Sequence, residues 1–144
     1  MSLLKKIFGG KEQEKATANP ASPMPAPEPE PAPIQIKEIS PQELRARLNN
    51  GDQDFIVVDM RQAWEYESGH IPGAIHMFIQ EIPMRAHELP KDTDIIFQCW
   101  HGNTSLGAAG YLIENGWSSA QVASLSGGIT GWVQAYGAEA LVKD

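Results

Sequence analysis

The chain has 144 residues, 42% of them hydrophobic and 20% charged, the size and balance of one soluble globular domain. Its net charge is −7 and it holds one cysteine, Cys99. The acidic balance argues against a nucleic-acid surface, which draws on clustered Lys and Arg, and the lone cysteine excludes an internal disulfide and a multi-cysteine zinc site.

Residues 1–33 contain four lysines and four glutamates, so residues 34–144 carry the whole −7. An anionic ligand must therefore be held by a local feature and not by the general field. The opening residues set Leu3, Leu4, Ile7 and Phe8 on one helical face beside Lys5 and Lys6. That face over residues 3–8 reads as a weak membrane or partner contact, or, at only about two turns, as a frayed terminus. The same segment lacks the apolar core and small-residue cleavage site of a signal peptide, and no run approaches the ~20 apolar residues of a membrane span. The expected location is the cytoplasm. Residues 20–33 contain seven prolines, which hold neither a helix nor a ladder; they predict an extended spacer of about 43 Å at ~3.1 Å per residue. Residues 1–33 are thus expected to be a disordered, proline-rich extension and residues 34–144 the folded domain.

The domain is expected to open with a strand at Ile34–Ile36. Ser40-Pro41-Gln42-Glu43 is a capping box with proline at the first helical position, predicting a helix through Leu48. Phe55–Val58 reads as a buried strand ending at Asp59, Trp64–Glu67 as a helical turn, and Ile71–Ile75 as a turn and short strand. Ile82–Leu89 predicts a helix, with Pro83 in its first turn and Pro90 beyond its end. Asp94–Gln98 is an apolar run suited to a buried parallel strand. After it, Leu106, Ala109, Gly110 and Ile113 fall on one face of a helix closed by Asn115-Gly116. Gln121–Leu125 is a last strand, Gly127-Gly128 a turn and Ile129–Tyr136 a last helix. Alternating strands and helices predict an α/β fold: a central, mainly parallel sheet of about five strands flanked by helices, with ligand chemistry at the carboxyl ends of the strands.

Cys99 therefore sits in a short polar loop between a strand and a helix amino terminus. Such a loop turns backbone N–H groups inward and adds the positive end of the helix dipole, an environment that favours the reactive thiolate. Gly102 permits the curl, the main chain from Trp100 through His101, Gly102 and Asn103 to Ser105 supplies donors, and Thr104 and Ser105 add hydroxyls. Cysteine-dependent phosphatases place arginine six residues after the cysteine to clamp an oxyanion. Here that residue is Ser105, so the phosphatase reading loses its clamp. Arg61 either helps hold an anion or forms a structural salt bridge with Asp59 or Glu65. His101 donates a proton, contacts an anion or faces solvent, and Trp100 offers an apolar wall to a partner protein. Trp117 and Trp132 read as packing residues. The spacing of His70, His76, Cys99 and His101 matches no metal pattern, so no metal and no cofactor are expected.

In order and spacing, Asp59-Met60-Arg61, Glu65-Tyr66, Gly69-His70-Ile71-Pro72-Gly73-Ala74-Ile75, the loop Cys99-Trp100-His101-Gly102-Asn103-Thr104-Ser105, and Gly127-Gly128 with Trp132 resemble the rhodanese family. The match spans residues 36–137, and the loop is most similar to those of short single-domain GlpE-type thiosulfate sulfurtransferases. The resemblance implies a rhodanese-like three-layer fold, a structural role for His70 in its turn, and a persulfide relay. Cys99 would take sulfane sulfur from thiosulfate or a persulfide donor and pass it to cyanide, a small thiol or a thioredoxin-like acceptor. The loop departs from many rhodaneses in having Thr104 where they carry an arginine that helps hold the donor. A non-enzymatic or partner-specific sulfur carrier, or a regulatory binding module, is the competing reading.

Overall fold

The structure, a computed structural model, describes residues 35–143. The expectations for the first 33 residues, with the apolar face at Leu3, Leu4, Ile7 and Phe8, the proline-rich spacer and the start at Ile34, lie outside the described residues.

Strands β1 (Lys37–Ile39), β2 (Phe55–Asp59), β3 (Ile75–His76), β4 (Asp94–Gln98) and β5 (Val122–Leu125) form one sheet in the order β1-β5-β4-β2-β3, every pair parallel. The central strands are apolar throughout because both faces of a parallel sheet are covered. Alternation along each strand divides the core. Val58, Ile95, Phe97 and Val122 face one layer, where they meet Ala108, Ala109 and Leu112 of α4 (Thr104–Glu114) and Ile82 of the single-turn α3 (Ile82–Arg85). Val57, Ile96, Ala123 and Leu125 face the other. There they pack on Leu44 of α1 (Pro41–Asn49) and on Ile129 and Trp132 of α5 (Gly128–Tyr136). This is the three-layer arrangement expected, and the register sets Asp59 beside Gln98 at the carboxyl ends of β2 and β4.

The local signals act as elementary chemistry requires. Ser40 caps α1: its hydroxyl accepts from the Glu43 N–H at 3.0 Å while Glu43 accepts from the Ser40 N–H at 2.9 Å. α2 (Ala63–Ser68) extends the predicted Trp64–Glu67 turn by one residue at each end. His70 stacks on Tyr66 with ring centroids 3.8 Å apart, and its N–H donates to the Val142 carbonyl. Trp132 is fully buried, with Nε1 donating to the Ala140 carbonyl, and Trp117 donates to the Pro90 carbonyl.

Three expectations are corrected. Among the described residues the first strand begins at Lys37, and Gln35 and Ile36 of the expected Ile34–Ile36 strand stand outside it, because its partner is β5, with Lys37 opposite Ala123 and Ile39 opposite Leu125. The Ile82–Leu89 helix is one α-turn flanked by 3-10 turns at Ile79–Glu81 and Ala86–Glu88. The extended Leu89 before Pro90 ends it. The buried face of α4 is Ser105, Ala108, Ala109 and Leu112, rotated by one residue from Leu106, Ala109, Gly110 and Ile113. Ser105 is drawn inward beneath Cys99, and that sets the phase of the helix.

Leu44 has no exposed surface and joins α1 to the α5 side of the core. Leu44→Ala should lower unfolding free energy by about 2–5 kcal/mol, read from chemical denaturation, because it leaves a cavity in a close-packed layer.

Candidate active site

Three loops converge at the carboxyl ends of the central strands: Met60–Arg61 after β2, Cys99–Asn103 after β4, and Ser126–Gly127 after β5. The Cys99 loop is curled around its own sulfur. The Gly102 N–H donates to Cys99 Sγ at 3.2 Å, and Sγ lies 3.3 Å from Ser105 Oγ. Gly102 has φ +92°, and a Cβ there would sit 2.9 Å from the Gly127 nitrogen. The position therefore needs glycine for conformation and for space.

The curl is pinned from outside by α5. The Ile129 N–H donates to the Cys99 carbonyl at 2.8 Å and the Thr130 N–H to the Trp100 carbonyl at 3.0 Å. Amides at the start of a helix lack intrahelical partners, so the loop carbonyls supply them. The approach is closest at Gly128, φ +59°, where a Cβ would lie 2.5 Å from the Cys99 oxygen. From the α1 and α5 side, Gln98 Nε2 donates to the same carbonyl at 3.0 Å, while Gln98 Oε1 is buried without a hydrogen-bond partner among the described residues.

Behind Ser105 stands Ser124 of β5, Oγ to Oγ 2.7 Å. Both serines are fully buried. When Cys99 is ionised, Ser105 can donate to the sulfur and accept from Ser124, a chain whose members strengthen each other. Burial pushes the Cys99 thiol up, but it is opposed by hydrogen bonds from the Ser105 and Thr104 hydroxyls and from the Ser105 and Gly102 amides. The result is a thiol below its ordinary value. These donors are neutral, so the anion is held by dipoles and no side-chain cation touches the sulfur.

Cys99 opens into a cleft of about 350 Å³ that also exposes Arg61, Trp100, His101, Asn103 and Thr104. Six of the eight residues singled out in the sequence thus line one cleft, while Gly102 and Ser105 lie buried behind the sulfur. Arg61 is nine-tenths buried and bound bidentately by fully buried Asp59, with Nε to Oδ1 at 3.0 Å and Nη2 to Oδ2 at 2.7 Å; Nη2 also donates to the Gly69 carbonyl. Of the two roles weighed for Arg61, the ion pair with Asp59 is present. Its Nη1 makes no hydrogen bond among the described residues. The guanidinium also lies 5.2 Å from the Trp100 ring, whose Nε1 donates to Glu65. His101 is exposed and its Nδ1 is 3.3 Å from Thr130 Oγ1. His76 bonds the Arg61 carbonyl. No group of three or more His, Cys, Asp or Glu side chains suited to a metal occurs among the described residues.

Sequence reasoning missed Ser124 and Gln98. The signal for Ser124 and Gln98 was a polar residue within an otherwise apolar strand, since burial there calls for a hydrogen-bond partner, which Ser124 Oγ and Gln98 Nε2 have.

Residues 40–135 match the family described as Rhodanese-like domain. The chain is 35% identical to a protein named sulfurtransferase from Allochromatium vinosum over 99 residues, covering 69% of this chain and 90% of that one. It is 39% identical to a thiosulfate sulfurtransferase GlpE from Pseudoalteromonas translucida over 84 residues, 58% of this chain and 78% of that one. Among solved structures, a rhodanese-like domain protein from Staphylococcus aureus superposes with TM-score 0.66 at 27% identity, covering 76% of this chain and 99% of that one. A rhodanese-like domain from Anabaena superposes with TM-score 0.63 at 27% identity, covering 72% and 77%.

The thiolate is populated as pH rises through the lowered Cys99 value. Alkylation by iodoacetamide should therefore reach half its limiting rate below the ~8.5 of an ordinary thiol. Ser105→Ala should move that midpoint upward, having lost a donor to the anion. A midpoint that stays in place in a folded variant would remove Ser105 from the thiolate's support.

Proposed function

Because the chain belongs to the rhodanese-like domain family, we propose that it is a thiosulfate-type sulfurtransferase working through a persulfide on Cys99. The observation that carries this reading is the convergence of the Gly102 amide and the Ser105 hydroxyl on a sulfur whose ionisation is favoured, at the floor of an open cleft. The names of the sulfurtransferase relatives support the reaction class.

The Cys99 thiolate attacks the outer sulfur of thiosulfate. The bond between that sulfur and the sulfonate breaks, its electron pair leaves with sulfite, and Cys99 keeps the sulfur as a persulfide anion. The extra atom moves the negative charge one bond outward into the cleft. There the Thr104 hydroxyl and the remaining loop amides can hold it without reorganisation. Cyanide or an acceptor thiolate then attacks the outer sulfur and the electron pair returns to Cys99 Sγ. Trp100, His101, Asn103 and Thr104 would contact the donor, and Arg61 would reach it through Nη1 alone, its other nitrogens being held by Asp59. Small thiols and thioredoxin-like proteins are the acceptors this chemistry suits, and the cytoplasm is the compartment that keeps a lone thiol reduced.

One feature favours a second reading, a carrier loaded by a specific protein. Among the described residues lining the cleft the only arginine or lysine is Arg61, and it is committed to Asp59. Turnover of thiosulfate with cyanide, set against loading from a protein persulfide, separates the two.

After thiosulfate treatment, mass spectrometry should show one added sulfur atom on the wild type and none on Cys99→Ser. A serine variant that still turned over thiosulfate would overturn the mechanism. Thr104→Arg should lower the KM for thiosulfate about ten-fold, since a charge-assisted contact is worth roughly 1.5–3 kcal/mol. An unchanged KM would mean that main-chain donors already suffice.

A further inference from the structure

Five large apolar side chains are exposed among the described residues: Trp64, Ile75, Ile79, Met84 and Trp100. Three of them border the approach to Cys99. Trp64 and Trp100 line a groove of about 350 Å³ with Ile129, Val133 and Leu141, and this groove shares Arg61, Glu65 and Trp100 with the Cys99 cleft. Ile79 lines a second groove of about 360 Å³ with Pro83 and Tyr111, which shares Asn103 and Thr104 with the same cleft. The two grooves have no residue in common. The reactive cleft therefore lies between two apolar ones.

An occupant of all three is elongated, apolar at both ends and sulfur-reactive in the middle. Thiosulfate, cyanide or a small thiol fills only the centre. Charge narrows the choice. Among the described residues the charged side chains lining the centre are Arg61 and Glu65, and Arg61 is neutralised by Asp59. Glu65 and the −7 of residues 34–144 then disfavour an acidic occupant.

We propose that the acceptor is a protein cysteine in an extended segment, with a large apolar residue on each side of it and no acidic residue nearby. The two grooves seat the apolar side chains and bring the cysteine over Cys99. This rests on the sulfurtransferase reading above. In the transfer the segment's thiolate attacks the outer sulfur of the Cys99 persulfide, the sulfur–sulfur bond to Cys99 breaks with its electron pair returning to Cys99 Sγ, and the segment leaves as a persulfide.

Recognition can be measured apart from sulfur transfer. Peptides with one central cysteine, activated as the mixed disulfide with thionitrobenzoate, are mixed with the full chain and the coloured thiolate released by Cys99 is followed. A peptide flanked by phenylalanine and leucine should react roughly ten-fold faster than one flanked by glycine, and one flanked by glutamate slowest. Trp64→Ala and Ile79→Ser should each remove the advantage of peptides apolar on one side only, while leaving the reaction with the symmetric thionitrobenzoate disulfide unchanged. Equal rates for apolar and glycine flanks would overturn the proposal even if thiosulfate loads Cys99. Discrimination among the peptides by a chain that takes no sulfur from thiosulfate would uphold the binding surface and overturn the thiosulfate reading.

Discussion

The amides at the start of α5 hold the Cys99 and Trp100 carbonyls, and the site depends on that pair of hydrogen bonds. Turning both carbonyls toward α5 leaves the following N–H groups free to face the sulfur. A loop with its carbonyls unpinned could present oxygen to the thiolate instead, and the ionised form would be repelled. The close approach needs a residue without Cβ at Gly128, whose hydrogen faces the Cys99 oxygen. A helix terminus with unpaired donors and a strand end with unpaired acceptors satisfy one another, and the chemistry sits on the loop between them.

Electrostatically, the site separates charge from reactivity. The buried ion pair of Asp59 with Arg61 lies beside the cleft and fixes the wall on which Trp100 rests. The sulfur itself is met by the buried Ser105 hydroxyl, backed by buried Ser124, and by main-chain amides. Neutral donors lower the thiol without trapping the anion in a tight ion pair, which suits a nucleophile that must both gain a sulfur and release it.

Much of this was legible in the sequence because its signals are local. The Ser40–Glu43 box, the apolar runs Phe55–Val58 and Asp94–Gln98, and the glycines around Cys99 each act within a few residues. What was not legible depends on partners far along the chain. β1 starts at Lys37 because β5 pairs with it there. The face of α4 is phased by Ser105 reaching toward Cys99 and Ser124, not by its apolar residues alone. Arg61 has one chemistry next to Asp59 and another facing a ligand, and only the fold shows that Asp59 is buried and takes most of the guanidinium. Ser124 looks inert in Val122–Leu125 until the register sets it opposite Phe97, beneath the loop.

The strand order places the first described strand, β1, against the last, β5, and the loop that carries Cys99 is fixed by the helix that follows β5. During synthesis the nucleophile therefore leaves the ribosome well before its environment exists. Until Gly128 to Thr130 emerge, the loop carbonyls lack their donors and β4 lacks its β5 neighbour. Nonlocal parallel pairings of this kind close slowly, because the intervening chain must be ordered first. A nascent chain halted between Ser105 and Gly128 thus carries the cysteine but not the environment that activates it. Competence for thiol chemistry becomes a report that the carboxyl-terminal helix has docked.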